Sequence, residues 1–237
     1  MRGYSAAGTE RRVGCMTRIV QSSIGSKFVL AVTGLLLLGF LIMHLLGNLQ
    51  ILRGPDAING YSQWLHDHKG LLVTARIGLG AVFVLHVWTA IRLALENRAA
   101  RPTRYRIKAV VQATFSSRTM VYTGLLVLAY LVYHLLHFTL HTIDTGAMGQ
   151  VDATGNIDIY SMVVAGFQHP AVAISYIVAT LLLGLHLWHA IGSMFQTLGW
   201  DHPAWNPIGR ALAVGLPILI TIGYIVVPCA IWFGIVS

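Results

Sequence analysis

Charge is scarce in this chain of 237 residues: eight Asp and Glu with 16 Lys and Arg, 10% in all, against 56% hydrophobic residues and a mean hydropathy of +0.69. That balance lies outside the range of soluble globular domains. Cysteine is nearly absent too, with Cys15 ahead of the first apolar run and Cys229 inside the last. Two thiols on opposite sides of a membrane cannot form a disulfide, and two cannot hold an iron–sulfur cluster, so both are read as inert. The first 16 residues lack the apolar core of a secretory signal, so residues 1–20 are expected to be a disordered tail, with Met16 a second candidate start of translation. No stretch resembles a soluble domain, because the longest segments between apolar runs are under 30 residues. Chemistry on a water-soluble substrate would belong to a partner.

What is present is apolar sequence in five blocks, roughly 28–50, 71–95, 119–141, 171–196 and 208–235. Each reaches the ~20 residues needed to cross ~30 Å of hydrocarbon. The expected fold is therefore an all-α membrane protein, a five-transmembrane-helix bundle with residues 21–237 as one unit and no internal repeat. The net charge of +8 could point to nucleic acid, but the basic residues divide by membrane side. Arg2, Arg11, Arg12, Arg18 and Lys27 precede or open the first block, and Arg92, Arg98, Arg101, Arg104, Arg106, Lys108 and Arg118 lie around the second connection. With Arg210 they outnumber Arg53, Lys69 and Arg76 on the other side. The positive-inside rule then places the N-terminus in the cytoplasm and the C-terminus outside. The connection from Thr142 to Pro170 agrees, holding Asp144, Asp152 and Asp158 and no Lys or Arg.

Local signals mark the ends of the blocks. Ser22 to Ser26 supplies capping side chains, Arg101-Pro102 limits the second helix, and Pro170 and Pro207 suit first turns. Pro217 and Pro228 fall inside the last helix and predict a kink. Gly34, Gly39, Gly78, Gly80, Gly124 and Gly184 allow close helix contact or room for a flat macrocycle.

Four histidines, His44, His86, His134 and His186, sit in four different blocks. In hydrocarbon an imidazole needs a hydrogen bond or a metal, so each calls for a partner in the bundle interior. Counted from the block ends at ~1.5 Å per residue, His44 and His134 fall in the outer half and His86 and His186 in the inner half, the two levels roughly 10 Å apart. Two histidines at one level on different helices are what a b-type haem held by two imidazoles requires, and two such levels imply two haems. A single membrane histidine bonded to a carbonyl is commoner than a ligand; four at paired depths favour ligation. His137 follows His134 by one turn and His189 follows His186 likewise, so spacing leaves both choices open. His141 reads as interfacial, and His66, His68, His169 and His202 lie in connections. Within the first outer connection, Tyr61, Gln63, Trp64, His66 and Asp67 are candidates for a quinone-headgroup site, with an ordinary interfacial aromatic belt as the equal alternative.

The motifs Ser22-Ser-Ile-Gly-Ser-Lys27, Thr33-Gly34 and His44-Leu-Leu-Gly-Asn48 resemble the single-chain di-haem cytochrome b subunit of succinate:quinone oxidoreductases. So do His86 with Ala90-Ile-Arg-Leu and Glu96-Asn-Arg, Thr123-Gly124 ahead of His134, and His186 with Gly192, Ser193 and Leu198-Gly-Trp200. The resemblance covers about residues 20–235. It implies His44 and His134 on an outer haem b and His86 and His186 on an inner one, with His137 and His189 one turn away, against propionates or rings. It further implies a succinate dehydrogenase of the respiratory chain and tricarboxylic acid cycle, in a bacterial cytoplasmic membrane, as part of a possible higher oligomer. A flavoprotein subunit with covalent FAD and an iron–sulfur subunit would dock on the cytoplasmic face, at the basic loop Arg92 to Arg118. Electrons would pass through the two haems to quinone, menaquinone by the resemblance, or in reverse toward fumarate. Some relatives carry a glutamate for proton transfer two residues before the fourth ligand; Gly184 stands there, and Glu96 lies too near the surface to substitute. Two other readings compete: a haem b anchor of a hydrogenase or formate dehydrogenase, which would dock outside, and a haem-free transporter or structural anchor.

Overall fold

The structure is a computed structural model that describes residues 22–100, 115–143, 150–152, 155–200, 202–203 and 206–237, with backbone alone at 115–118. The expected tail, Cys15 and most of the basic loop (101–114) lie outside the described residues, as does Asp144.

Seven helices make up the described chain: α1 Ser23–Asn48, α2 Pro55–Asp67, α3 Lys69–Ala99, α4 Phe115–Phe138, α5 Ile159–Gln168, α6 Pro170–Thr197 and α7 Asn206–Trp232. Five of them are long and apolar enough to cross a membrane: α1 with its 3-10 extension to Arg53, then α3, α4, α6 and α7. The protein is thus a multi-pass helical membrane protein by length and composition.

Two features were not expected. The connection between α1 and α3 is the helix α2, opened by Pro55 in its first turn, and that between α4 and α6 contains α5, capped by Asp158, whose side chain accepts from Ser161 N. Neither shows a long apolar period, being 13 and 10 residues long, so reading the chain for spans passes over them. The ends also moved. α1 starts five residues earlier than residue 28 because Ser22 caps it, accepting from Gly25 N at 3.0 Å. α4 stops at Phe138, short of 141, where Leu140 N and Thr142 N turn back to Leu135 O and Leu136 O and His141 takes a left-handed φ of 53°. α7 continues through Pro217 and Pro228, both buried against neighbours.

Packing links α1 with α3, α4 with α6, α1 with α6 and, sparsely, α3 with α4. Those contacts close a four-helix ring in which α1 lies diagonally opposite α4 and α3 opposite α6. α7 lies outside the ring over the α6–α1 seam. One apolar core, Ala31, Leu38, Leu187, Ile191, Met194 and Ile220, joins α1, α6 and α7. A second gathers Ile51, Ile58, Met162, Phe167, Ala173, Tyr176 and Val227 where α2 and α5 meet the bundle. Asn59 ties that end together, donating to Asp158 Oδ1 at 3.0 Å while its own oxygen accepts from Tyr160 N at 3.0 Å. α3 is the outlier, with Thr89 its one buried residue.

Candidate histidine sites inside the bundle

Register between the helices follows from one hydrogen bond in each half. On α1, Thr33 Oγ1 lies 2.9 Å from His86 Nδ1 of α3; on α4, Thr123 Oγ1 lies 3.5 Å from His186 Nδ1 of α6. In both cases the next residue is a glycine facing the same ring: a Cβ on Gly34 would stand 3.5 Å from His86 Cε1, and one on Gly124 would stand 3.2 Å from His186 Cε1. The threonine holds the ring and the glycine makes room for it.

These bonds also favour one tautomer. Thr33 Oγ1 has one proton, and it donates to Val29 O at 2.7 Å, as a helical threonine commonly does. With that proton on Val29 O the oxygen accepts toward His86, an arrangement that favours the proton on Nδ1 and a lone pair on Nε2. Thr123 Oγ1 donates likewise to Met120 O at 3.0 Å, or Thr119 O at 3.2 Å, which favours the same form in His186. An imidazole whose Nδ1–H is bonded and whose Nε2 is bare is in the ligating state.

Eleven residues beyond each threonine comes the next histidine, His44 on α1 and His134 on α4. Their rings face each other across the diagonal, centroids 6.0 Å apart and planes at 79°. Two imidazoles gripping one ion through bonds of ~2 Å have ring centres roughly 6 Å apart. The second level, at Thr33 and Thr123, lies ~16 Å along the helices from the first by helical rise. That is wider than the ~10 Å counted from block ends, because the helix ends are not flush. Phe40 stacks on His44 at 5.3 Å, and Tyr224, 6.2 Å from His44, donates to Leu41 O at 2.8 Å.

His137 does not face His44. It is fully buried, stacked on Phe138 at 4.0 Å and turned toward Gly166 of α5. Its Nδ1 lies 3.0 Å from the Tyr176 hydroxyl, which is also 3.3 Å from His134 Nδ1, while His137 Nε2 has no partner. His189 is half-buried on α6, one turn from His186. Among the described residues no group of three or more His, Cys, Asp or Glu converges to chelate a bare ion. Pairs of imidazoles supply two ligands, which suits an ion whose other positions are filled by a macrocycle.

The five candidates on α2 do not converge. Tyr61 packs on Gly47 of α1, so closely that a Cβ there would lie 2.7 Å from its ring. Gln63 donates to Asp67 at 2.7 Å, His66 Nδ1 bonds Ser62 O at 2.8 Å, and Trp64 packs against His68 at 4.6 Å. They lie around a helix, pairing locally at one-turn spacing. Gly184 is excluded from carrying a larger side chain because Thr221 of α7 lies directly against it. Gly39, Gly78 and Gly80 have no neighbour at the Cβ position, so close contact is not their role.

The facing helices carry an internal sequence repeat. Thr33-Gly34-Leu35-Leu36, Leu38, Leu41 and His44-Leu45-Leu46 recur 90 residues later as Thr123-Gly124-Leu125-Leu126, Leu128, Leu131 and His134-Leu135-Leu136. Leu85-His86, Trp88 and Ala90-Ile91 recur 100 residues later as Leu185-His186, Trp188 and Ala190-Ile191. The expectation of no internal repeat is therefore corrected. The different lengths of the connections hide it, since the offset changes by ten between the two blocks. His137 and His189 stand where the first half has Gly47 and Thr89, so the repeat singles out His134 and His186. Compared with known proteins, the chain matches no family model, no curated protein and no solved structure.

Proposed function

We propose that this chain is the di-haem cytochrome b membrane anchor of a succinate:quinone oxidoreductase, as its motifs suggest. The observation that carries the haem reading is the crossed set of imidazoles: His44 against His134, and His86 and His186 each clasped through Nδ1 by a threonine. His44 and His134 would hold the outer haem b, and His86 and His186 the inner. When bound, the two haems would supply one-electron transfer along the bundle axis. The protein's own contribution is to fix ring orientation through Thr33, Thr123 and Tyr176, to leave Nε2 as acceptor, and to keep water out with leucine-rich helices.

In this reading the N-terminus and the basic loop face the cytoplasm, where the FAD-bearing flavoprotein and iron–sulfur subunits dock, in a bacterial cytoplasmic membrane. Electrons from succinate would leave through the outer centre to menaquinone. The local pairing of Gln63 and of His66 within α2 leaves Tyr61 and Trp64, 37% and 50% exposed, as the stronger quinone contacts of the five. A haem-free transporter is less well supported. Repeats related by an axis along the membrane normal do occur in transporters, but α1, α3, α4 and α6 are continuous where transport sites interrupt their helices.

The test is a dithionite-reduced minus oxidised spectrum of the purified chain with haem counted per polypeptide. Two haems b are expected; a chain free of haem after expression with excess haem refutes the proposal.

A further inference from the structure

We propose that Arg76 is an anion-binding residue at the His44 level, taking a carboxylate of the macrocycle held there, in the place that Tyr176 fills in the other half. This rests on the di-haem reading and extends it to a residue outside the ligand set.

Arg76 lies seven residues into α3, one of the five spans, and is exposed, with no hydrogen bond or ion pair among the described residues. The carboxylate at the α2–α3 junction, Asp67, is engaged by Gln63 at 2.7 Å. A guanidinium inside a span is costly to keep without a partner, and such residues mark functional sites.

Register supplies the location. The Thr33–His86 bond makes those two residues level; His44 lies eleven residues beyond Thr33 on α1, and Arg76 lies ten residues before His86 on the antiparallel α3. Both steps run toward the same end, by ~16 and ~15 Å, so Arg76 is level with His44 to within about a residue's rise. The second half shows that this register brings side chains together. Tyr176 lies ten residues before His186, just as Arg76 lies before His86, and its hydroxyl reaches His134 Nδ1 at 3.3 Å. By the same offset Arg76 stands at the level of His44 as Tyr176 stands at the level of His134. The chemistry differs: tyrosine serves a ring nitrogen, whereas a five-donor cation suits a carboxylate, and a b-type haem carries two. A lipid phosphate is the other anion within reach of a side chain that can extend toward the headgroups.

Equilibrium redox titration of the purified two-haem chain separates these sources. A cation beside the iron disfavours the more positive oxidised form, so its removal lowers the midpoint potential. Arg76→Gln is expected to lower one of two potentials by about tenfold in the oxidised-to-reduced ratio, ~59 mV for one electron, and to leave the other unmoved. Arg76→Lys should stay near the wild-type value. In His134→Ala, which keeps only the other centre, Arg76→Gln should shift nothing. If Arg76 serves lipid phosphate, both potentials stay put in Arg76→Gln with two haems bound; that overturns this proposal and leaves the di-haem reading standing. If Arg76→Gln and Arg76→Lys both lose a haem, the residue is structural and the proposal fails. A wild-type chain without haem sinks both readings together.

Discussion

At the scale of single residues, the account turns on which ring nitrogen is free. Thr33 and Thr123 decide it, since a hydroxyl already donating to its own helix leaves only an acceptor for His86 and His186. Thr33→Val keeps the shape but removes the acceptor, leaving a buried imidazole N–H unsatisfied at a cost of about 1–3 kcal/mol. The expected result is a 10- to 100-fold loss of haem affinity at that level, read by competition with apomyoglobin, with the other level unchanged. For the neighbouring choice, His134→Ala should lose one haem and His137→Ala should keep both, because His134 and not His137 faces His44. Haem per chain distinguishes the two. That His44 and His134 stand at one level was legible in the sequence from depth alone. The threonine clasps and Tyr176 were not, because a threonine in an apolar helix looks like any other small residue until the facing helix is in place.

At the scale of elements, glycine against threonine fixes the fifth helix. Gly184 leaves room for Thr221 of α7, so Gly184→Ala forces overpacking worth about 1–3 kcal/mol. Thr221→Ala should rescue it, as seen in detergent melting temperature; a melting temperature unchanged in Gly184→Ala would mean the contact is not as close as described. The junction of α2 and α5 carries a pH dependence. Burial alone would raise the Asp158 carboxyl, but hydrogen bonds from Ser161, Asn59 and Tyr160 N outweigh it and hold the group below its ordinary 3.8. A depressed folded value means this stabilisation is complete above pH 3.8 and is lost as pH falls through the lower folded value. Proteolysis of the Thr142–Pro170 connection should therefore accelerate in that acid range, using an acid-active protease, and Asp158→Asn should weaken the dependence. These two short helices escaped the sequence reading because each gains its stability from tertiary contacts such as Asn59 to Asp158, and not from a long apolar stripe.

At the scale of the molecule, two copies of a helical hairpin joined in parallel face each other through equivalent residues. His44 meets its own counterpart His134 across the ring. The spans were readable because about 20 apolar residues have few alternatives in a membrane protein. The repeat was hidden by unequal connections, and the distance between levels was underestimated because counting from the ends of apolar blocks assumes flush helices. α3, with Thr89 its one buried residue, and the thin α3–α4 seam leave one side of the ring without the cover that α7 gives the opposite seam.

The central claim, that imidazoles meet in pairs across the diagonals, is tested most directly by low-temperature electron paramagnetic resonance of the oxidised purified chain. Two low-spin ferric signals are expected, with His44→Ala and His134→Ala erasing the same one and His86→Ala and His186→Ala erasing the other. Signals that survive all four substitutions, or that vanish in other pairings, would contradict it.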